Sequence, residues 1–243
     1  MLEKRIESRI RKALYEYSLL EGVEKLAVAL SGGKDSLTLL YQLKNILGRG
    51  FPDIPLVALH VSGAFSCGAS VHPSFLQNVC DELEVPLIVR ESKLSQEKLS
   101  CYPCSRQRRR LLFEAAHSVG ATTIAFGHHR DDLAQTLLMN LLHKGEFAGN
   151  LPKLELVDFG VTLIRPLVFV SEKEIWEFAK QRGFARITCQ CPVGADSMRK
   201  KVDRLLDDLQ KLFPNVRANV ASAGLLYGSE KARRDASTPT IDQ

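Results

Sequence analysis

Four times between residues 25 and 143 a short apolar run gives way to a stretch with helical spacing. The runs are 25–30, 55–61, 86–89 and 122–126; the stretches are 35–47, 73–84, an arginine-rich segment opening at Cys101, and 131–143. The runs are mainly apolar rather than alternating, as expected of strands buried on both faces by flanking helices. Strand and helix in strict alternation predict an α/β fold with a doubly wound, mostly parallel sheet, in which ligands bind beyond the carboxyl ends of the strands.

The flanks read differently. Leu2, Ile6, Ile10, Ala13, Leu14 and Tyr17 recur at spacings of three and four, so residues 2–20 are predicted as a surface helix with one buried stripe. Residues 154–170 read as a hairpin or ribbon turning at Asp158-Phe159-Gly160. Ser171-Glu172-Lys173-Glu174 is a capping box opening a helix that carries Trp176 and Phe178. A last helix starts at Asp196 or Ser197, buries Met198, Val202, Leu205, Leu206, Leu209 and Leu212, and stops at Pro214. This divides the chain into an N-terminal helix (1–22), a nucleotide-binding domain (23–170), a helical C-terminal extension completing the site (171–228) and a disordered tail (229–243).

No apolar run approaches the roughly 20 residues that cross a bilayer, and the charged N-terminus lacks the apolar core of a secretory signal, so a cytoplasmic protein is expected. Six cysteines in 243 residues are too few for a disulfide scaffold, and their clustering points to metal or redox chemistry. Cys101 and Cys104 form C-x-x-C, Cys189 and Cys191 form C-x-C, Cys67 stands alone, and Cys80 falls on the apolar side of a predicted helix. The net charge of +5 permits a polyanionic partner without requiring one. His60, His72, His117 and His143 match no motif.

The strongest local signal is Ser31-Gly32-Gly33-Lys34-Asp35-Ser36, between the first strand and its helix. Two glycines let backbone N–H groups converge, and the helix start adds a positive dipole end, so the loop suits phosphate. Lys34 adds a charge, Ser31 and Ser36 add hydroxyls, and Asp35 is placed to hold Mg²⁺ or to cap the helix. A plain Gly-Gly turn with a capping serine explains the glycines but not the lysine, the acid and two hydroxyls together. The spacing is not that of the Walker A loop.

SGGKDS resembles the PP-loop of the N-type ATP pyrophosphatases, whose fold is of the adenine nucleotide alpha hydrolase type. The resemblance implies cleavage of ATP to AMP and pyrophosphate by attack at the α-phosphate. After the fourth strand, Gly127-His128-His129-Arg130-Asp131-Asp132-Leu133-Ala134-Gln135-Thr136 resembles the family's G-H-x-x-D-D-x-x-E/Q-T. It places Gly127 and Asp131 at the nucleotide, with Asp131 holding Mg²⁺ or steering the nucleophile; helix capping is the other role open to Asp131 and Asp132.

Cys101-Tyr102-Pro103-Cys104, a distant Cys191-Pro192, then Arg199 and Pro214-Asn215 resemble the tRNA thiolation branch. There three thiolates hold a [4Fe-4S] cluster and leave one iron open to carry sulfur. Cys101, Cys104 and Cys191 are the implied ligands. Cys189 could replace Cys191, or complete a four-cysteine zinc site that would close the open position. In the Arg106-Gln107-Arg108-Arg109-Arg110 run the resemblance points to Arg108 or Arg109 as the residue facing the α-phosphate, the others contacting tRNA or water.

The resemblance spans about residues 24–219. In the family the second strand commonly ends with an acid; here the stretch is Leu59-His60-Val61-Ser62-Gly63, leaving backbone groups of Leu59 and Val61 to read adenine. Paired-cysteine zinc modules of the uridine-thiolating relatives are missing from this sequence, which favours the 2-thiocytidine-forming type. The implied reaction adenylates the C2 oxygen of a pyrimidine, an anticodon-loop cytidine, and replaces it with sulfur delivered by a cysteine desulfurase type of donor. The resemblance is compatible with a homodimer. Rival readings are a uridine 2-thiolase, a ligase with a non-sulfur nucleophile, and a nucleotide-binding protein with structural zinc.

Overall fold

The computed structural model describes residues 1–63, 73–92, 101–184 and 198–227, residues 101–104 as backbone only. Cys67, His72, Cys189, Cys191, Asp196, Ser197 and the tail beyond Tyr227 lie outside the described residues.

In chain order the elements are α1 (Leu2–Glu16), β1 (Leu26–Ala29), α2 (Lys34–Ile46), β2 (Leu56–Ser62), α3 (Pro73–Glu82), β3 (Leu87–Glu91), α4 (Cys101–Ser118), β4 (Thr123–Ala125), α5 (Arg130–Lys144), β5 (Lys153–Leu156), β6 (Val161–Ile164), α6 (Glu172–Gln181), α7 (Met198–Leu212) and α8 (Val216–Tyr227). The six strands form one sheet in the order β3-β2-β1-β4-β6-β5. All neighbours are parallel except β5 and β6, which form the expected hairpin around a 3-10 turn at Val157–Phe159.

The order fixes where a ligand can bind. After β1 the chain moves to β2 and β3 on one side, then returns to place β4 on the other side of β1. The carboxyl ends of β1 and β4 therefore flank the point where the winding reverses, the crevice that doubly wound sheets offer to ligands. Both strands are central, and Leu26, Ala27, Val28, Ile124 and Ala125 are fully buried. On one face Ala27, Val57, Leu59, Ile124 and Leu163 pack with Leu112, Phe113 and Ala116 of α4.

α1 buries Ile6, Ile10, Ala13 and Leu14 as its spacing predicts, but it ends at Glu16, four residues early. Ser18 takes a left-handed φ of 46°, which no helix can continue through. α1 and α6 are joined by charge: Glu174, 6% exposed, receives Nε of Arg5 at 2.8 Å and Nη1 of Arg9. Glu174 also completes the capping box, accepting from the Ser171 hydroxyl at 2.6 Å and the Ser171 N–H at 3.1 Å. Burial opposes its charge, but the Ser171 hydrogen bonds and the two guanidinium groups hold the carboxyl below its ordinary pKa.

The chain forms two compact units, Met1–His129 with Pro152–Asp196, and Arg130–Leu151 with Ser197–Gln243. The second is helical: α5 packs with α7 and α8. Gly224 of α8 lies so close to α5 that a Cβ there would sit 3.1 Å from Leu137. One expectation for α7 fails. Val202 and Leu206 are buried, but Met198, Leu205 and Leu212 are exposed by 47%, 40% and 73%. The helical period marks an apolar stripe wider than the face that neighbouring helices cover.

Candidate active site

The PP-loop leaves β1 at Leu30 and enters α2 at Lys34, and its conformation is held from within. Gly32 adopts a φ of 83°, a region that favours glycine. The Ser31 hydroxyl accepts the N–H of Gly33 at 3.3 Å and lies 3.1 Å from the Ser36 hydroxyl, which donates to the Gly33 carbonyl at 3.0 Å. The Ser31 N–H reaches the Ser36 oxygen at 3.2 Å. The two serines therefore shape the loop as well as offering donors to a ligand.

Leu30 is fixed from β2. Its N–H donates to the Leu59 carbonyl at 2.8 Å, and its carbonyl lies 2.8 Å from Nδ1 of His60, which is 1% exposed. A carbonyl only accepts, so Nδ1 carries the proton. Burial keeps the imidazole below its ordinary pKa, with the Arg108 charge acting in the same sense and the hydrogen bond to Leu30 opposing. His60, unmatched by any motif, is thus a neutral brace under the loop. The Leu59 carbonyl is engaged in the sheet, while Val61 lies two residues on, past the last β1 pairing at Ala29.

Lys34 Nζ lies 3.0 Å from Asp35 Oδ1 and 3.0 Å from Oε1 of Glu172, the first residue of α6. Burial opposes its charge, but the two carboxylates outweigh burial and raise its pKa above the ordinary lysine value. Asp35 Oδ1 is also 3.7 Å from Nε2 of His129, which is buried.

The second motif meets the first through Gly127. A Cβ there would stand 3.0 Å from the Ser36 nitrogen and 3.1 and 3.2 Å from the carbonyl carbon and oxygen of Asp35, all backbone atoms of the first turn of α2. A side chain here would crowd these backbone atoms by a few tenths of an ångström, so glycine eases the close approach of the end of β4. Asp131 is the second residue of α5, 6% exposed, with Oδ1 3.5 Å from Nη2 of Arg130; Asp132 Oδ1 is 4.0 Å from Nη1 of Arg199. On α4, Arg108 is half-buried with its charge felt at His60, whereas Arg106, Arg109 and Arg110 are exposed and Arg110 pairs with Glu114. Of the two candidates, Arg108 is the less exposed.

Cys101 and Cys104 are the first and fourth residues of α4, so their backbones stand one helical turn apart. Among the described residues no group of three or more His, Cys, Asp or Glu could hold a metal ion; Cys189 and Cys191 lie outside them. Cys80 is buried in the core, its thiol pushed up to about 11 by burial. Among the described residues no helix is long and apolar enough to cross a membrane.

Glu172 and His60 carried no signal in the motifs. α8 also went unpredicted, although Pro214-Asn215 ahead of it is a stop followed by a capping residue type.

A family model described as PP-loop domain matches residues 2–188. The tRNA-cytidine(32) 2-sulfurtransferase of Cronobacter sakazakii is 35% identical over 221 residues, covering 88% of this chain and 71% of the relative. Its counterpart from Serratia proteamaculans is 34% identical with the same coverages. Among solved structures, the U34-tRNA thiolase NcsA from Methanococcus maripaludis with its [4Fe-4S] cluster superposes with a TM-score of 0.73 at 24% identity, covering 91% of this chain and 77% of that one. This last likeness is one of fold. Motifs, topology and relatives agree: the chain belongs to the PP-loop domain family, among the relatives of the tRNA-cytidine(32) 2-sulfurtransferases.

Proposed function

We propose that this protein is an ATP-dependent tRNA 2-thiolase that converts a cytidine of the anticodon loop to 2-thiocytidine. The observation that supports this reading is the close approach of Gly127, which opens the second motif, to the backbone of Asp35 and Ser36 in the first, more than 90 residues away in the chain. In the reaction the C2 oxygen attacks the α-phosphate, the bond to the β-phosphate breaks and pyrophosphate leaves. Sulfur then attacks C2 and AMP departs with the original oxygen. Without adenylation that oxygen is a poor leaving group.

Ser31, Gly32, Gly33, Lys34 and Ser36 cradle the departing phosphates. Asp35 and Asp131 would supply carboxylates to Mg²⁺, Arg108 would offset the charge that builds at the α-phosphate, and the backbone of Val61, with Leu59 and Gly127, would receive the adenine. Cys101, Cys104 and Cys191 would hold a [4Fe-4S] cluster, Cys189 being the alternative third ligand, and a cluster held by three protein thiolates would supply a site for external sulfur. The placement of Cys101 and Cys104 one turn apart on α4 fits two such ligands. The enzyme works in the cytoplasm, as a homodimer, with sulfur from a cysteine desulfurase type of donor.

Protein purified without oxygen is expected to contain about four irons and four acid-labile sulfides per chain. About one zinc and no sulfide would mean a closed structural site, and the cluster assignment would fall.

A further inference from the structure

The PP-loop lysine is held by a residue that belongs to neither motif. Lys34 Nζ sits between Asp35, its sequence neighbour, and Glu172, 138 residues further on. An ammonium has three N–H donors. With one on each carboxylate, the third remains for a phosphate oxygen. Were Asp35 the only partner, the lysine would fold back against its own helix turn, onto a carboxylate also needed for Mg²⁺.

Glu172 is itself held in place. It is the first residue of α6, whose start is set by the Ser171–Glu174 capping box, and Glu174 is clamped by Arg5 and Arg9 of α1. The N-terminal helix, otherwise a packing element, thus anchors the partner of the loop lysine.

We infer that Glu172 is a positioning residue which orients Lys34 for the triphosphate. The inference rests on the reading of SGGKDS as an ATP loop. Glu172 is half-exposed, with 50% of its side chain open to water. Its ion pair therefore contributes little to stability, and its replacement leaves the fold intact.

The test is a double-mutant cycle on ATP turnover to AMP, with the chain's thermal midpoint as a folding control. Glu172→Gln is expected to lower kcat/KM for ATP roughly five- to twentyfold through a higher KM. Glu172→Asp, which keeps the charge, is expected to recover part of the loss. Because Glu172 acts through Lys34, the pair Glu172→Gln with Lys34→Met should be no worse than Lys34→Met alone, whereas a structural role would make the two losses multiply. Multiplying losses, wild-type kinetics in Glu172→Gln, or a lowered KM marking Glu172 as a competitor of phosphate would each overturn the inference alone. If Lys34→Met itself kept wild-type turnover, the ATP-loop reading would fall with it.

Discussion

Replacing Lys34 with methionine should lower the rate of AMP formation on the order of a hundredfold or more. Charge accumulates on the phosphoryl oxygens as pyrophosphate leaves, and Lys34 is an ammonium in the first turn of α2, where the proposed reading puts those oxygens. The substitution keeps the length and apolar stem and removes only the charge. It removes the ammonium from beside the Asp35 and Glu172 carboxylates, but these side chains are 30% and 50% exposed, so water solvates them and folding is barely affected. Single-turnover AMP formation, read beside the thermal midpoint, separates the two effects. A loss below about threefold would remove Lys34 from the site.

Gly127→Val is expected to weaken ATP binding at least about tenfold and to destabilise the chain by about 1–3 kcal/mol. The atoms a Cβ would meet, at 3.0 to 3.2 Å, are backbone of Asp35 and Ser36 and cannot rotate away. Either β4 retreats or the first turn of α2 does, the branched valine adding to the few tenths of an ångström that a Cβ alone demands, and small shifts at such a loop are costly to reaction geometry. Gly33 is a built-in contrast. Its nearest neighbour is the Ser31 hydroxyl at 3.4 Å, so Gly33→Ala faces far less crowding from the protein itself. Titration with a non-hydrolysable ATP analogue tests this; binding by Gly127→Val at wild-type strength would contradict the packing described.

The alternation of strands and helices was legible because each mainly apolar run is too short for a buried helix, but burial on both faces fails for the edge strand β3, where no residue is buried and Val89 is 38% exposed. SGGKDS and GHHRDD were legible because their residue types have no common structural excuse. The sequence could not show what glycine does at Gly127, since the reason is the approach of a strand end to a helix distant in the chain. Nor could it show His60 beneath Leu30, or Glu172 beside Lys34, both long-range pairings made by ordinary residue types. Local periodicity also overstated burial on α7, where Leu205 and Leu212 obey the helical stripe yet face solvent. Arg108 was distinguishable from Arg109 only once α4 was packed on the sheet.

The central claim is that ATP cleavage in this protein serves to replace oxygen by sulfur on tRNA. The most direct test incubates the anaerobically prepared protein with unmodified tRNA, ATP, Mg²⁺ and sulfide, then measures 2-thiocytidine in the digested tRNA by mass spectrometry alongside AMP. The account predicts 2-thiocytidine in step with AMP, and neither product when ATP is omitted. AMP formed without any thiolated nucleoside, by protein carrying its full iron and sulfide, would contradict it.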